Sequence, residues 1–513
     1  MSDTVAPVYV DGEWRRSDSI GTLQADNPSL GEPLPERFPI SSREEVLTAI
    51  CAGSEAAEAL LTADPGMIAQ FLEAYAAGIE AHADELVEQA HAETGLAKSP
   101  RLKSVELPRT TDQLRQAATA AREGSWRRPI RDEARKIYSQ FAPLGGPVVV
   151  IGPNNFPFAF NSISGGDFAA AIAAQNPVIA KANPGHLGTT RLLAEIAVEA
   201  LRTAGLPTAT VQLLYHMAPE VGLELVSHPQ VGATGFTGGK RSGLALKAAA
   251  DQGGRPFYAE LSSVNPVLLL DGALRERGEA IAEEFFGSCT AGSGQFCTNP
   301  GFLIVPDTEA GREFIAAARS RFEAWTPTVL LARGVRDGLI GAVDALQKQP
   351  GVSLLCGGAP APGAAYRYAG TLLQVSGDDF LKQPETLQTE AFGPVALVVL
   401  TRDTGQTIAV LRHLEGNLTG TIYSHTGGDD DVDYAAVEPV LRTRIGRLIN
   451  DRMPTGVAVS PAMNHGGPSP STGHPGFTAV GLPTSIHRFA ALHCYDNVRP
   501  ERLPETLRTQ GNG

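Results

Sequence analysis

The fold class this sequence predicts is α/β, built on parallel sheets, with an extended hairpin standing off the body. Three patterns carry the prediction: a helical N-terminal region, two successive sets of short apolar runs alternating with amphipathic stretches, and a charged, aperiodic segment between helices and first set. A strand–helix–strand repeat forces right-handed crossovers and hence parallel pairing.

The elements follow in order. Ser42 and Glu45 have the spacing of a capping box. Beyond Pro65, the residues Ile68, Phe71, Leu72, Tyr75 and Ile79 recur at helical spacing, and Gly95 is placed to end a helix. The helical pattern resumes around 105–122. Residues 126–145 are bounded by Pro and Gly and fit either an extended hairpin or a solvated loop. Strands are expected at 147–151, 177–180, 209–214 and 231–236, with helices at 165–175, 187–204 and 218–227 between them. This doubly wound arrangement binds nucleotides beyond the carboxyl ends of its strands. A second set follows Glu260: strands at 267–270, 302–305, 395–400, 420–424 and 447–450, helices at about 277–288, 309–324, 406–415 and 430–443. The tail RPERLPETLRTQGNG is polar and expected to fray.

Composition narrows the function. The chain has 513 residues, 42% hydrophobic and 19% charged, which suits an enzyme of two or three packed units. Its net charge of −14 argues against a nucleic-acid binder, which needs a basic face. The N-terminus lacks the apolar core of a signal peptide, and no apolar run reaches the roughly 18 residues of a membrane span. A cytoplasmic location is therefore expected, with no membrane partner. Cys51, Cys289, Cys297, Cys356 and Cys494 form no C-x-x-C pair, so neither a disulfide framework nor a zinc site is signalled.

Three segments hold candidate chemistry. VGATGFTGGKRSG at 231–243 puts glycines between a strand and a helix, where a backbone can approach a phosphate. It matches neither G-x-G-x-x-G nor a P-loop, and a plain strand-to-helix turn fits as well. GSGQFCTNPG at 292–301 flanks Cys297 with small residues, as an accessible nucleophile or a buried thiol in a tight loop would be. GPNNFPFAF at 152–160 sets Asn155 just past a strand end, as an oxyanion donor or a turn residue.

Together these segments resemble the aldehyde dehydrogenase superfamily. P-N-N-F-P at 153–157, V-I-A-K at 178–181, G-F-T-G-G at 235–239, A-E-L at 259–261, G-Q-F-C at 294–297 and E-A-F-G-P at 390–394 occur in that family's order. The resemblance covers roughly residues 25–500. It implies the aldehyde dehydrogenase fold: a Rossmann-like cofactor domain (1–125 and 146–258), an α/β catalytic domain (259–484), and an oligomerisation arm with the C-terminal segment (126–145 and 485–513). The arm would pair with a partner subunit near about 485–497, giving a homo-oligomer, dimer or tetramer.

By the same resemblance, Cys297 would be the nucleophile and Glu260 the base that activates water, while Asn155 and the Cys297 N–H would form the oxyanion hole. NAD or NADP would lie on Lys181, Pro184, Gly238, Gly239, Gly243, Glu390 and Phe392. The chemistry explains these types. Thiolate addition to an aldehyde creates an oxyanion that needs preorganised donors, and the thioester that follows needs a carboxylate to activate water. No metal is required. The sequence departs from the family at Leu-Ser-Ser-Val-Asn-Pro after Glu260, where Leu-Gly-Gly-Lys is usual, and at Gly239, where Ser is common.

RTTDQLR at 109–115, FNSISGGD at 160–167, GRLIND-x-x-PTGV at 446–457 and AMNHGGPSPST at 462–472 resemble the 2,5-dioxovalerate (α-ketoglutaric semialdehyde) dehydrogenases and the related NADP-preferring fatty aldehyde dehydrogenases. A carboxylate-bearing semialdehyde needs a cation, and Arg109 is the candidate, with Gln113 one turn on. Phe156, Phe158 and Phe296 could instead wall a pocket for a longer or aromatic aldehyde. Pro184 stands where NAD-preferring members often carry an acid, so NADP is expected to be accepted, with His186, Lys240 and Arg241 as cations for its 2′-phosphate. Retention of Glu260 favours water over coenzyme A as thioester acceptor, and the presence of nucleophile and base argues against a non-catalytic binding protein.

Overall fold

The computed structural model describes residues 5–454 and 456–508. Two seven-stranded sheets dominate it. The first runs Phe257–Glu260, Ala233–Thr237, Val148–Ile151, Val178–Lys181, Val211–Leu214, Val8–Val10, Glu13–Arg15 in spatial order. Its first five strands are parallel, and the N-terminal pair adds antiparallel at one edge. The second sheet runs Ser353–Cys356, Thr371–Ser376, Val395–Thr401, Phe302–Pro306, Pro266–Leu269, Asn417–Tyr423, Ile445–Asn450. Near-continuous Val, Ile and Leu in the central strands marks burial on both faces, as parallel sheets require.

The helical region forms as expected. Ser42 caps Arg43–Leu60 by accepting from the Glu45 N–H at 3.1 Å. Ile68, Phe71, Leu72, Tyr75 and Ile79 of Pro65–Ala81 are fully buried, and Gly95 ends Ala83–Thr94 in the left-handed conformation. The predicted strands and helices of both sets appear with boundaries shifted by a few residues. The antiparallel edge strands 8–10 and 13–15, the strands 353–356 and 371–376, and the helix Arg333–Gln347 had no counterpart in the sequence reading.

Three further differences concern connectivity. The hairpin forms from Ile130–Asp132 and Ile137–Pro143, but its C-terminal neighbour Ala490–Asp496 belongs to the same chain, paired antiparallel from Ala490↔Pro143 to Asp496↔Ile137. That contact therefore needs no partner subunit. Residues 500–508 do not fray: Leu503 and Leu507 bury against Tyr138 of the hairpin. The final residues 509–513 lie outside the described set. A boundary at 258/259 would cut the strand Phe257–Glu260, whose last residue is Glu260.

The segment after Asn450 leaves the second sheet and returns to the first. Glu260 and Thr472 form an isolated antiparallel bridge, and the Leu261 N–H donates to the Ser471 carbonyl at 2.8 Å. Leu482, Ile486 and Phe489 then bury in the core of the first sheet. Among the described residues no helix is long and apolar enough to cross a membrane.

Candidate active site

The candidate nucleophile sits between the sheets. Gly292, Ser293 and Gly294 all have positive φ, which swings the loop sharply ahead of Cys297. Gly294 has no alternative, because a Cβ there would lie 2.1 Å from the Gly393 carbonyl oxygen. Asn265 pins the loop from below. Itself left-handed at φ +49, which Asn tolerates, it donates from Nδ2 to the carbonyls of Cys297 (2.8 Å) and Asn299 (2.9 Å). Asn265 lies in the stretch where the sequence departs from the family pattern. Beside it, Ser263 Oγ donates to Asn417 Oδ1 at 3.1 Å.

Cys297 is half-buried, while Cys289 and Cys356 are buried and Cys51 and Cys494 exposed. Burial pushes the Cys297 thiol well above its ordinary pKa, and the nearby Glu260 charge adds to the rise. Glu260 ends its strand facing the thiol. Between the two stands a residue the sequence reading did not single out. His465 Nε2 lies 3.1 Å from Cys297 Sγ and 2.7 Å from Glu260 Oε1. A single ring nitrogen thus serves both groups, while the opposite Nδ1 is buried without a partner among the described residues. The signal was present: His465 lies inside AMNHGGPSPST, the most specific of the branch segments. The pairing of that segment with Glu260 is what delivers it.

Asn155 is buried, and its Nδ2 donates to the Gln295 carbonyl at 2.9 Å, two residues before Cys297. That bond uses one of the two amide protons and leaves the other. A buried carboxylate holds this segment. Glu106 pairs with Arg101 and accepts from the Phe158 and Ala159 N–H groups at 2.8 and 3.0 Å. Arg101 in turn donates to the Asn155 carbonyl at 2.8 Å and lies 4.4 Å over the Phe156 ring. Glu106→Ala strands a half-buried guanidinium and two buried amides. The expected loss is about 3–5 kcal/mol of unfolding free energy, the range for breaking a buried pair, read by chemical denaturation. A change below about 1 kcal/mol would show that the pair contributes no more than a surface ion pair.

A cleft of about 620 Å³ opens beside these groups. Pro184, Gly238, Gly239, Glu390 and Phe392 line it together with Asn155, Glu260 and Cys297. Gly239 lines the cleft and begins the helix Lys240–Gln252 without a side-chain cap of its own, and Ser262 Oγ accepts from the Lys240 N–H at 3.2 Å; a helix N-terminus at the cleft suits a phosphate group. Lys181 ends the central strand, and burial lowers its ammonium to a pKa of about 8. Glu390 accepts from the Ser263 N–H at 3.3 Å, and burial raises its carboxyl. These residues fit a dinucleotide. Gly243 does not line the cleft. It is buried one turn into the helix, where a Cβ would come within 2.2 Å of Leu261 Cδ2, so its smallness serves packing of helix on strand. His186 is buried, bonded through Nε2 to the Pro153 carbonyl, and its pKa is lowered by burial. Lys240 pairs with Glu415 at 2.6 Å. Of the three expected cations, Arg241 is exposed and makes no salt bridge among the described residues.

On the opposite side, Phe156 and Phe296 pack edge to face at 5.7 Å. Phe296 also lines a second opening of about 470 Å³ that includes Arg452, Met453 and Pro454. Arg109 lies 5.0 Å from the Phe160 ring and donates from Nη1 to the Val457 carbonyl at 2.5 Å. Its Nε and Nη2 are buried, with no acceptor among the described residues. Phe158 is wholly buried away from both openings, and Gln113 donates to the Ala159 carbonyl at 3.1 Å.

Two parallel sheets with a thiol, a carboxylate and a nucleotide-sized cleft at their junction define an α/β oxidoreductase. A profile described as "Aldehyde dehydrogenase family" matches residues 14–431. The chain is 39% identical over 501 residues to "Alpha-ketoglutaric semialdehyde dehydrogenase 2" of Azospirillum brasilense, covering 96% of this chain and 94% of that one. It is 33% identical to "Alpha-ketoglutaric semialdehyde dehydrogenase" of Acinetobacter baylyi, covering 99% and 97%. Among solved structures, a gamma-glutamyl-gamma-aminobutyraldehyde dehydrogenase from Burkholderia cenocepacia superposes with a TM-score of 0.81 at 19% identity, covering 96% of this chain and 97% of that one. The chain belongs to the aldehyde dehydrogenase family. It is an oxidoreductase that acts on an aldehyde with NAD or NADP.

Proposed function

We propose that this chain oxidises 2,5-dioxovalerate, a semialdehyde carrying an α-keto carboxylate, to the dicarboxylic acid. The observation that carries the substrate class is Arg109: a guanidinium with two buried nitrogens lacking acceptors among the described residues, within electrostatic reach of Cys297. Such donors cost free energy until an anion meets them. A substrate carboxylate supplies that anion, and an alkyl or aryl tail does not. The names of the two relatives above point to the same semialdehyde.

The residues divide the work as follows. Cys297 Sγ adds to the aldehyde carbon, and its proton passes to His465 Nε2 as Glu260 stabilises the imidazolium formed. The remaining Asn155 Nδ2 proton and the Cys297 N–H receive the oxyanion. Bound NAD or NADP supplies the hydride acceptor that converts the thiohemiacetal to a thioester. Glu260 then turns from His465 and takes a proton from water, which attacks the thioester and releases acid and thiol. Lys181 and Glu390 would hold the two riboses, and the amides after Gly239 the phosphates. With His186 buried and Lys240 paired, acceptance of NADP would rest on Arg241.

The domain division follows the two sheets, with Glu260 at their junction. We further propose a homo-oligomer, dimer or tetramer, assembled through the arm. Its edge strand Ile130–Asp132 is unpaired on one side, and Ile130 and Leu492 are each 63% exposed.

Arg109→Ala tests the reading. KM for 2,5-dioxovalerate should rise about 10- to 100-fold, the worth of a charge-assisted hydrogen bond, while KM for a neutral alkanal stays within about twofold. The measurement is NAD(P)H formation across an aldehyde panel with both cofactors. Equal effects on both substrates would reject Arg109 as the carboxylate anchor.

A further inference from the structure

We propose that Cys297, His465 and Glu260 also form a zinc site, and that Zn²⁺ bound there holds the enzyme in an inactive state. The proposal goes beyond aldehyde oxidation and depends on geometry alone. One ligand atom from each residue, a sulfur, an imidazole nitrogen and a carboxylate oxygen, lies within 4.8 Å of the others. The two measured edges are 3.1 Å from sulfur to nitrogen and 2.7 Å from nitrogen to oxygen. Tetrahedral zinc with sulfur at about 2.3 Å and nitrogen or oxygen at about 2.0–2.2 Å sets neighbouring donors roughly 3.4–3.6 Å apart. The side chains need open by less than about 1 Å to admit the ion.

The donors come from three separate parts of the chain, each fixed independently. Cys297 is held by Asn265 beneath its loop, Glu260 by its strand, and His465 by the segment bridged to Glu260 through Thr472. A mixed sulfur, nitrogen and oxygen set is one that zinc accepts and that magnesium and calcium do not. Three protein ligands leave the fourth position for water. Binding releases the thiol proton to solvent, and the imidazole binds through Nε2 with its single proton on Nδ1. The charge balances: one thiolate and one carboxylate against Zn²⁺. Because His465 Nδ1 has no acceptor to brace the ring, the site lacks the outer support of a structural zinc centre and should exchange its ion. Bound zinc would occupy the sulfur lone pair that attacks aldehyde, and shield it from oxidants.

The test uses the full chain with Cys51→Ser and Cys494→Ser, since both of those thiols are exposed and bind metal adventitiously. Zn²⁺ alone is titrated in competition with a chromophoric chelator, without cofactor or substrate. One site per chain is expected, weakened at least tenfold by Cys297→Ser and by His465→Gln. Co²⁺ in place of Zn²⁺ should give a thiolate charge-transfer band that Cys297→Ser abolishes. Thermal unfolding in EDTA checks that each variant is folded, and intact Cys297 should alkylate more slowly with zinc than without. Unchanged affinity in Cys297→Ser, or a Co²⁺ spectrum without the thiolate band, overturns the proposal. These readouts need no turnover, so failure of the semialdehyde reading would show separately, in the aldehyde panel.

Discussion

Replacement Cys297→Ser is expected to lower the rate of NAD(P)H formation by at least about 10⁴-fold, leaving cofactor binding and unfolding free energy nearly unchanged. The magnitude follows from losing the thiol that bonds the aldehyde carbon, since a hydroxyl at neutral pH offers almost no anion. Sulfur is exchanged for oxygen at a half-buried position, so packing changes little. Retained activity within about tenfold would remove Cys297 from the mechanism. The pH profile gives a second reading. Burial and the Glu260 charge raise the thiol pKa, so the unassisted thiolate fraction grows as pH climbs. Alkylation of the free enzyme should accelerate steadily with pH. In Glu260→Gln that rise should begin at lower pH, because the neighbouring negative charge is gone.

The same Glu260→Gln replacement is expected to slow steady-state turnover by about 10²–10⁴-fold, the usual worth of a general base. Its signature separates it from a folding defect. Addition to the aldehyde and formation of the thioester should survive, so one equivalent of NAD(P)H per active site appears in a burst and turnover then stalls. Burst size is read by rapid mixing, and the stalled thioester by mass spectrometry of the intact chain. Turnover without a burst and at the native rate would mean that another group activates water. His465 is then the residue to examine, since its Nε2 is 2.7 Å from the same carboxylate. A double-mutant cycle of Glu260→Gln with His465→Gln measures how far the two act as a unit.

Particular residues show how much the sequence alone could tell. The buried faces of helices and the central parallel strands were legible because burial imposes periodicity, as at Ile68, Phe71, Leu72 and Tyr75. The strands at 8–10 and 13–15 were not, because only three residues each leave no period to detect. Cys297, Glu260 and Asn155 converge at one junction in the structure, as their motifs suggested. Gly243 and Phe158 had the right motif company, yet both are packed inward, because neighbours in sequence need not share a surface. His465 escaped for the converse reason. It is 168 positions from Cys297, and only the folding back of a Gly- and Pro-rich segment brings the two together. No local pattern reports such a contact. Two of the three cations suggested for a 2′-phosphate, His186 and Lys240, are close in sequence to the cleft, but each is already engaged.

The return of that segment to the first sheet has a consequence for how activity is born. Residues 465–472 reach Glu260 from a distant part of the chain, and their bridge to it is followed by Leu482, Ile486 and Phe489 closing into the N-terminal core. Synthesis proceeds from the N-terminus, and domains fold as units as they emerge. The thiol and carboxylate, earlier in the sequence, can therefore meet before their imidazole arrives. Docking of that later segment onto the N-terminal core is the step that completes the relay.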